Sequence, residues 1–189
     1  MNMYMILIRK QKFEVLHMFK IVGSLMVFIG CLSWGFLYAD KFRKRSKELT
    51  ELERCINELQ NEVTYTYTPI PEILYKISRK SIEPIGAIFE NISTKLRDHK
   101  VDSVYEAFYE TFKSQKDSIN INEEDINIML DLSKSLGQSD VEGQKRIIEL
   151  TLYNLRRQSS LAKENMDKNI KMYRYLGLTI GATLVIMFV

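Results

Sequence analysis

The sequence has little of what staples or punctuates most small domains. Its 189 residues hold two cysteines, Cys31 inside an apolar stretch and Cys55 in a polar one. No intramolecular disulfide is expected between them, and reduced thiols fit a reducing compartment. Three prolines, at 69, 71 and 84, and eight glycines leave few breaks, and no Asn-Gly or Asp-Gly pair marks a hairpin, so a strand-rich fold is excluded. The two histidines, His17 and His99, stand far apart, and no Cys/His spacing suits a metal. GxGxxG, the phosphate-binding GxxxxGKS/T pattern and a serine nucleophile motif are all missing. The acidic run Glu123, Glu124, Asp125 reads as a solvated first helical turn rather than an acid/base group. We expect neither an enzyme nor a bound cofactor. A net charge of only +3, with no basic face carrying interleaved aromatics, argues against nucleic acid. The expectation is an all-α protein.

What the chain does have is two long uncharged stretches and a polar middle. Residues 21–39, IVGSLMVFIGCLSWGFLYA, are long enough to cross a hydrocarbon core of roughly 30 Å as a helix. The run exceeds a signal-peptide core, and Leu37-Tyr38-Ala39 is a poor cleavage site, so it reads as an uncleaved anchor. Lys41, Arg43, Lys44, Arg45, Lys47 and Arg54 follow it; Arg9, Lys10, Lys12 and Lys20 precede it. The downstream excess puts the middle of the chain in the cytoplasm. Residues 175–189, YLGLTIGATLVIMFV, cover roughly 22 Å as a helix and are apolar on every face. They read as a second, short transmembrane segment, with Lys171 and Arg174 snorkelling to the interface. Residues 1–20 form a leader without clear period. Two readings of it stay open, a short amphipathic leader or translation starting at Met18.

Between the anchors, residues 40–174 read as a bundle of about six helices whose first and last continue into the membrane segments. Leu49, Leu52, Ile56, Leu59 and Val63 alternate in steps of three and four, an a/d seam. The seam fits an ordinary bundle core better than a free coiled-coil dimer, and its helix should run to about Thr66. The TPIP turn then starts a second helix near Pro69 or Pro71, with Ile73, Leu74 and Ile77 inward. Pro84 starts a third, with Ile85, Ile88, Phe89, Ile92 and Leu96 on one face. Asp102 or Ser103 caps a short fourth, and Asn122 a fifth that ends before Gly137. Residues 114–122 read as a polar loop. Ser139 or Asp140 caps the last and longest helix, lined by Val141, Ile147, Ile148, Leu152, Leu155 and Leu161.

Two features point to partners. Gly177 and Gly181 form GxxxG in the second apolar stretch, and Gly30 and Gly35 give the first small-residue faces, a pattern that lets membrane helices approach. The corner SLGQSDVEGQ, residues 135–144, places Gly143 inside the first helical turns, where it costs about 1 kcal/mol relative to Ala. That cost points to close packing, against the 69–71 turn or against a partner.

The order of GFLYADKF, ELTELERCINELQNEV, YTYTPIPEIL, SLGQSDVEGQ and MYRYLGLTIGATLVIMFV over residues 18–189 resembles the stage III sporulation protein AB family of endospore-forming bacteria. That family is similar to the cytoplasmic helical domain of the F-type inner-membrane platform proteins of type II secretion and type IV pilus machines. The resemblance implies a membrane-anchored scaffold in the transenvelope complex between mother cell and forespore. Its location would be the mother-cell-derived membrane around the forespore. Its partners would be a cytoplasmic secretion-type ATPase and other membrane components, with self-association left open. The residues we expect to dock a partner are Tyr67, Pro69, Pro71, Gly137, Asp140 and Gly143. A competing reading is a membrane-tethered sensor or adaptor that dimerises through the Leu49 to Val63 seam.

Overall fold

The computed structural model describes residues 23, 26, 30, 40–66, 68–136 and 140–188, with main chain alone at 141, 174, 181, 184, 185, 187 and 188. It divides into two compact units, Phe42–Met166 and a unit made of Met1–Lys41 with Asp167–Val189. The described residues are all-α. Helix α1 covers residues 40–65, followed by α2 (Ile70–Lys80), α3 (Ile85–Arg97), α4 (Val104–Ser114), a single 3-10 turn (Lys116–Ser118), α5 (Glu123–Ser135) and α6 (Val141–Phe188).

Within Phe42–Met166 the short helices pack in chain order, α2 on α3, α3 on α4 and α4 on α5. Helix α1 supplies the core they close over. Leu49, Leu52, Cys55, Ile56 and Leu59 are completely buried. Each large apolar side chain so buried contributes about 1.5–3 kcal/mol, so this one helix face matters on the scale of the 5–15 kcal/mol that holds a domain folded. The α1 seam is therefore the inside of the bundle. It is not free to pair with a second chain, as the sensor reading requires. Against it lie Ile73, Leu74 and Ile77 of α2, and Ile85, Ile88, Phe89 and Ile92 of α3. Phe89 meets Phe108 of α4 edge to face, ring centres 6.4 Å apart, the arrangement the ring quadrupoles favour. Helix α6 closes the unit with Ile148, Leu152, Leu155 and Ala162.

The helix ends follow local chemistry. Pro69 precedes α2 and Pro71 sits in its first turn, where a missing N–H leaves nothing unsatisfied. Of the two candidate caps for α4 the structure uses Ser103, whose hydroxyl accepts the Glu106 N–H at 3.1 Å. Asn122 and Asp125 exchange side-chain and backbone hydrogen bonds across the first turn of α5, a capping box. Gly86 has a packing reason to be glycine: a Cβ there would come within 3.0 Å of the Ser81 carbonyl oxygen. The segment read as a polar loop, 114–122, does more than connect. It contains the 3-10 turn and buries Ile119 and Ile121.

In the other unit α6 runs on to Phe188. Among the described residues no helix is long and apolar enough to cross a membrane. The apolar end of α6 after Arg174 covers roughly 21 Å, and the stretch 21–39 lies outside the described residues except for Gly23, Met26 and Gly30, which are helical.

Helix α3 ends on His99, whose φ of 51° is left-handed. Its N–H donates to the Leu96 carbonyl at 3.3 Å, and the Lys100 N–H donates to the Lys95 carbonyl at 3.0 Å. This is a Schellman ending with histidine where glycine is usual. A side chain there costs roughly 1–2 kcal/mol, partly offset by the freedom glycine loses on folding. His99→Gly should therefore stabilise the protein by about 0.5 kcal/mol, read as a rise in the urea midpoint at unchanged slope; a fall in the midpoint would contradict this account of the turn.

Candidate interaction surface

Beside the apolar seam, α1 carries a polar row at intervals of three: Arg45, Glu48, Glu51 and Arg54. Two of its members are carboxylates that lose almost all contact with water, so each must find donors. Glu48 accepts the Asn120 N–H and the Asn120 side-chain amide, both at 2.6 Å. Glu51 accepts the Ile82 N–H at 3.1 Å and the Arg54 guanidinium at 2.6 Å. Arg54 also donates to the Lys80 carbonyl and the Ser81 hydroxyl, each at 3.1 Å. Arg45 grips Asp125 through both carboxylate oxygens, at 3.1–3.2 Å, and reaches Gln158 of α6 at 3.4 Å. The row thus fixes the α2–α3 corner, the segment entering α5, the first turn of α5 and the flank of α6 to one helix. Leaving one of these buried carboxylates without its donor costs about 1–3 kcal/mol or more, since the group left behind is charged.

The Arg54 hydrogen bond holds the Glu51 carboxyl below its ordinary range, against the opposing effect of burial. Burial pushes the Cys55 thiol up to about 11, although the Ser81 hydroxyl lies 3.1 Å from its sulfur and favours the thiolate. This cysteine is held as an inert core thiol.

Asp125 corrects the reading of the acidic run. Glu123 and Glu124 are exposed as a first helical turn would have them, but Asp125 is fully buried and paired. From the sequence Arg45 was read only as part of the basic flank after the first apolar stretch, and Glu48 and Glu51 drew no expectation. The available signal was their three-residue spacing on the flank of the seam, which keeps them on one helix edge.

Other polar contacts show the register of α1 against α6. Thr50 lies 3.5 Å from Ser159, and Arg156 donates to Glu53 at 2.9 Å. As numbers rise on α1 they fall on α6, so the pair is antiparallel. Continued along both helices, that register sets the end of α1 level with the first turns of α6. Pro69, Pro71, Asp140 and Gly143 accordingly sit toward one end of the unit, the end away from residues 42 and 166. Pro69 and Asp140 are exposed, Pro71 and Gly143 half-exposed. The Pro71 carbonyl is held by the Ser93 hydroxyl at 2.7 Å. Asp140 caps α6 through its carboxylate on the Gly143 N–H at 3.0 Å. Tyr67 and Gly137 lie outside the described residues. Of the glycines read for membrane-helix packing, Gly35 also lies outside them. A Cβ at Gly30 would meet nothing within 4 Å, Gly177 is buried, and Gly181 is helical. Among the described residues no group of three or more His, Cys, Asp or Glu is placed to hold a metal ion.

These features define a helical-bundle protein whose buried polar groups organise its own frame and in which the segments that follow α1 and precede α6 lie toward one end. The class can be narrowed. The family model for Stage III sporulation protein AB (spore_III_AB) matches residues 20–189, and the chain belongs to that family. Stage III sporulation protein AB of Bacillus subtilis (strain 168) is 24% identical over 170 residues, which span 90% of this chain and 99% of that relative. The solved structure of a Stage III sporulation protein AB (SpoIIIAB) shares the fold, with a TM-score of 0.60 at 22% identity over 65% of this chain and 96% of the other.

The buried thiol makes a pH prediction. The thiol ionises near its ordinary 9.0 when unfolded and near 11 when folded. Between those values the unfolded state binds fewer protons, so stability falls as pH rises through that window. In a Cys31→Ser background, Cys55→Ala should flatten the decline of the urea midpoint between pH 9 and 11; an unchanged slope would show that Cys55 is not the group responsible.

Proposed function

We propose that this protein is a membrane-anchored helical platform of a secretion-like sporulation complex, and that it docks a cytoplasmic ATPase. Residues 21–39 and 175–189 are its membrane segments, the second short and assisted by snorkelling of Lys171 and Arg174. The excess of Lys and Arg after residue 39 keeps the unit Phe42–Met166 in the cytoplasm. In a sporulating cell the membrane is the mother-cell-derived one around the forespore. Gly30, Gly35, Gly177 and Gly181 give the two membrane segments surfaces for each other or for neighbouring components.

The observation that carries the reading is the antiparallel register of α1 and α6, which gathers Pro69, Pro71, Asp140 and Gly143 at the end of the bundle away from the membrane-directed ends of both helices. An ATPase in the cytoplasm meets that end first, and Tyr67 and Gly137 belong to the same two loops. Family membership supports the sporulation setting. The buried α1 row supports a rigid transmitter, since a pushed loop moves the whole frame.

Full-length protein in mild detergent, mixed with the secretion-type ATPase of its own host, tests the docking end. Asp140→Asn keeps a good helix cap and removes only the charge; Pro71→Lys adds a charge in the first turn of α2. Each should weaken ATPase binding about tenfold or more with helical circular dichroism unchanged. Binding at wild-type strength by both variants would rule this end out.

A further inference from the structure

The face of α6 opposite its buried side is unusual for a solvated helix. At 100° per residue, Ile148, Thr151, Leu155, Gln158 and Ala162 form the inward arc, and all are buried. About 135° round the helix from that arc runs a stripe less than 90° wide: Gly143, Arg146, Leu150, Tyr153, Arg157 and Leu161. Leu161 was expected in the core, yet it is 43% exposed; Leu150 and Tyr153 are 59% and 67% exposed. A leucine, a tyrosine and a second leucine in steps of three and eight, set between arginines, have the composition of an interface centre. The arginines are uncommitted. Arg156 is held by Glu53, whereas Arg146 and Arg157 hold no carboxylate among the described residues.

We propose that this stripe, from Gly143 to Leu161, binds an acidic amphipathic helix of a partner protein. The complement of the stripe is a helix with two carboxylates about eleven residues apart, one for each arginine, and apolar side chains between them for Leu150 and Tyr153. Gly143, an unfavourable residue inside a helix, lies in line with the stripe. It leaves bare backbone against which the end of such a helix can lie closely. The stripe also begins at the corner formed by Asp140 and Gly143, so it extends the proposed docking end along the bundle.

A second copy of this chain is the main competitor. Two antiparallel stripes would set Arg146 against Glu164 and Tyr153 against Arg157. Two antiparallel α6 helices, however, point their C-terminal ends in opposite directions and cannot both enter one bilayer. The choice of a different protein as the occupant rests on the membrane placement proposed above.

The test places a photo-crosslinking phenylalanine analogue at position 153 of the full-length chain, expressed in its host during sporulation, with Tyr109 on α4 as the control position. The expected result is one crosslinked partner from position 153 and not from 109. By mass spectrometry its attached peptide should be an acidic helical segment. Yield should fall about tenfold or more in Arg146→Glu/Arg157→Glu and be kept in Arg146→Lys/Arg157→Lys. Attachment to another copy of this chain, to lipid or to nothing overturns the proposal, as does a yield indifferent to charge reversal. Alkaline carbonate extraction and ATPase co-purification on the same membranes separate the two readings. If both persist without the position-153 crosslink, only the stripe is wrong. If the chain is extracted by carbonate while the charge-sensitive crosslink remains, the membrane placement is wrong and the stripe stands.

Discussion

Two buried carboxylates on one helix constrain this bundle more tightly than its apolar core does. Apolar burial is tolerant of identity: volume-conserving swaps between leucine and isoleucine usually cost less than about 1.5 kcal/mol. A carboxylate taken out of water is not tolerant, because its oxygens need donors at hydrogen-bond distance and in the right direction. Glu48 takes both of its donors from Asn120, and Glu51 takes its own from Ile82 and Arg54. Asn120 and Ile82 lie on segments far from α1 in sequence, and Arg54, on α1 itself, reaches on to the Lys80 carbonyl and the Ser81 hydroxyl. Each bond therefore fixes a loop, and each loop fixes the helix that follows it. Arg45 extends the pattern with the sign reversed, joining α1 to Asp125 and Gln158.

A frame of this kind suits a part that passes motion between partners. A close-packed core transmits strain, and directed hydrogen bonds add a fixed register to it, so the bundle moves as a body. The loops that join the helices are then presented at fixed positions. The α1–α6 register places two of them, with Pro69, Pro71, Asp140 and Gly143, toward the same end. The outward stripe of α6 adds a second surface that starts at that end and runs along the side. Family membership locates the protein in sporulation.

The seam of α1, the proline starts of α2 and α3 and the capping of α5 were legible in the sequence, because each follows from local rules of period, ring geometry or side-chain reach. Leu49, Leu52, Ile56 and Leu59 are buried as their spacing requires. Asp125 was read as solvated because its partner Arg45 is remote in sequence, and the burial of Glu48 and Glu51 left no local sign beyond their spacing along one helix edge. Asn120 is distant in sequence from Glu48, and only the fold brings them together. Leu161 failed in the other direction. Its apolar side chain suggested core, but it lies on the outward stripe, and Ala162 beside it takes the inward place. Ile119 and Ile121 were hidden in a segment whose polar composition reads as loop. Of the candidate docking residues, the loops themselves were visible from Pro and Gly chemistry, while their placement at one end needed the pairing of α1 with α6.

Helix α1 is the frame to which the α2–α3 corner, the start of α5 and the flank of α6 are pinned. Hydrogen exchange on the full-length chain addresses this most directly, because amide protection reports the free energy at which each segment opens. The amides of α1 between Glu48 and Leu59 should exchange as slowly as those of α3 and α5, and Glu51→Gln should lower protection in all three together. If α3 and α5 stay protected while α1 exchanges quickly, the short helices form the stable body by themselves and α1 is a strut laid against it.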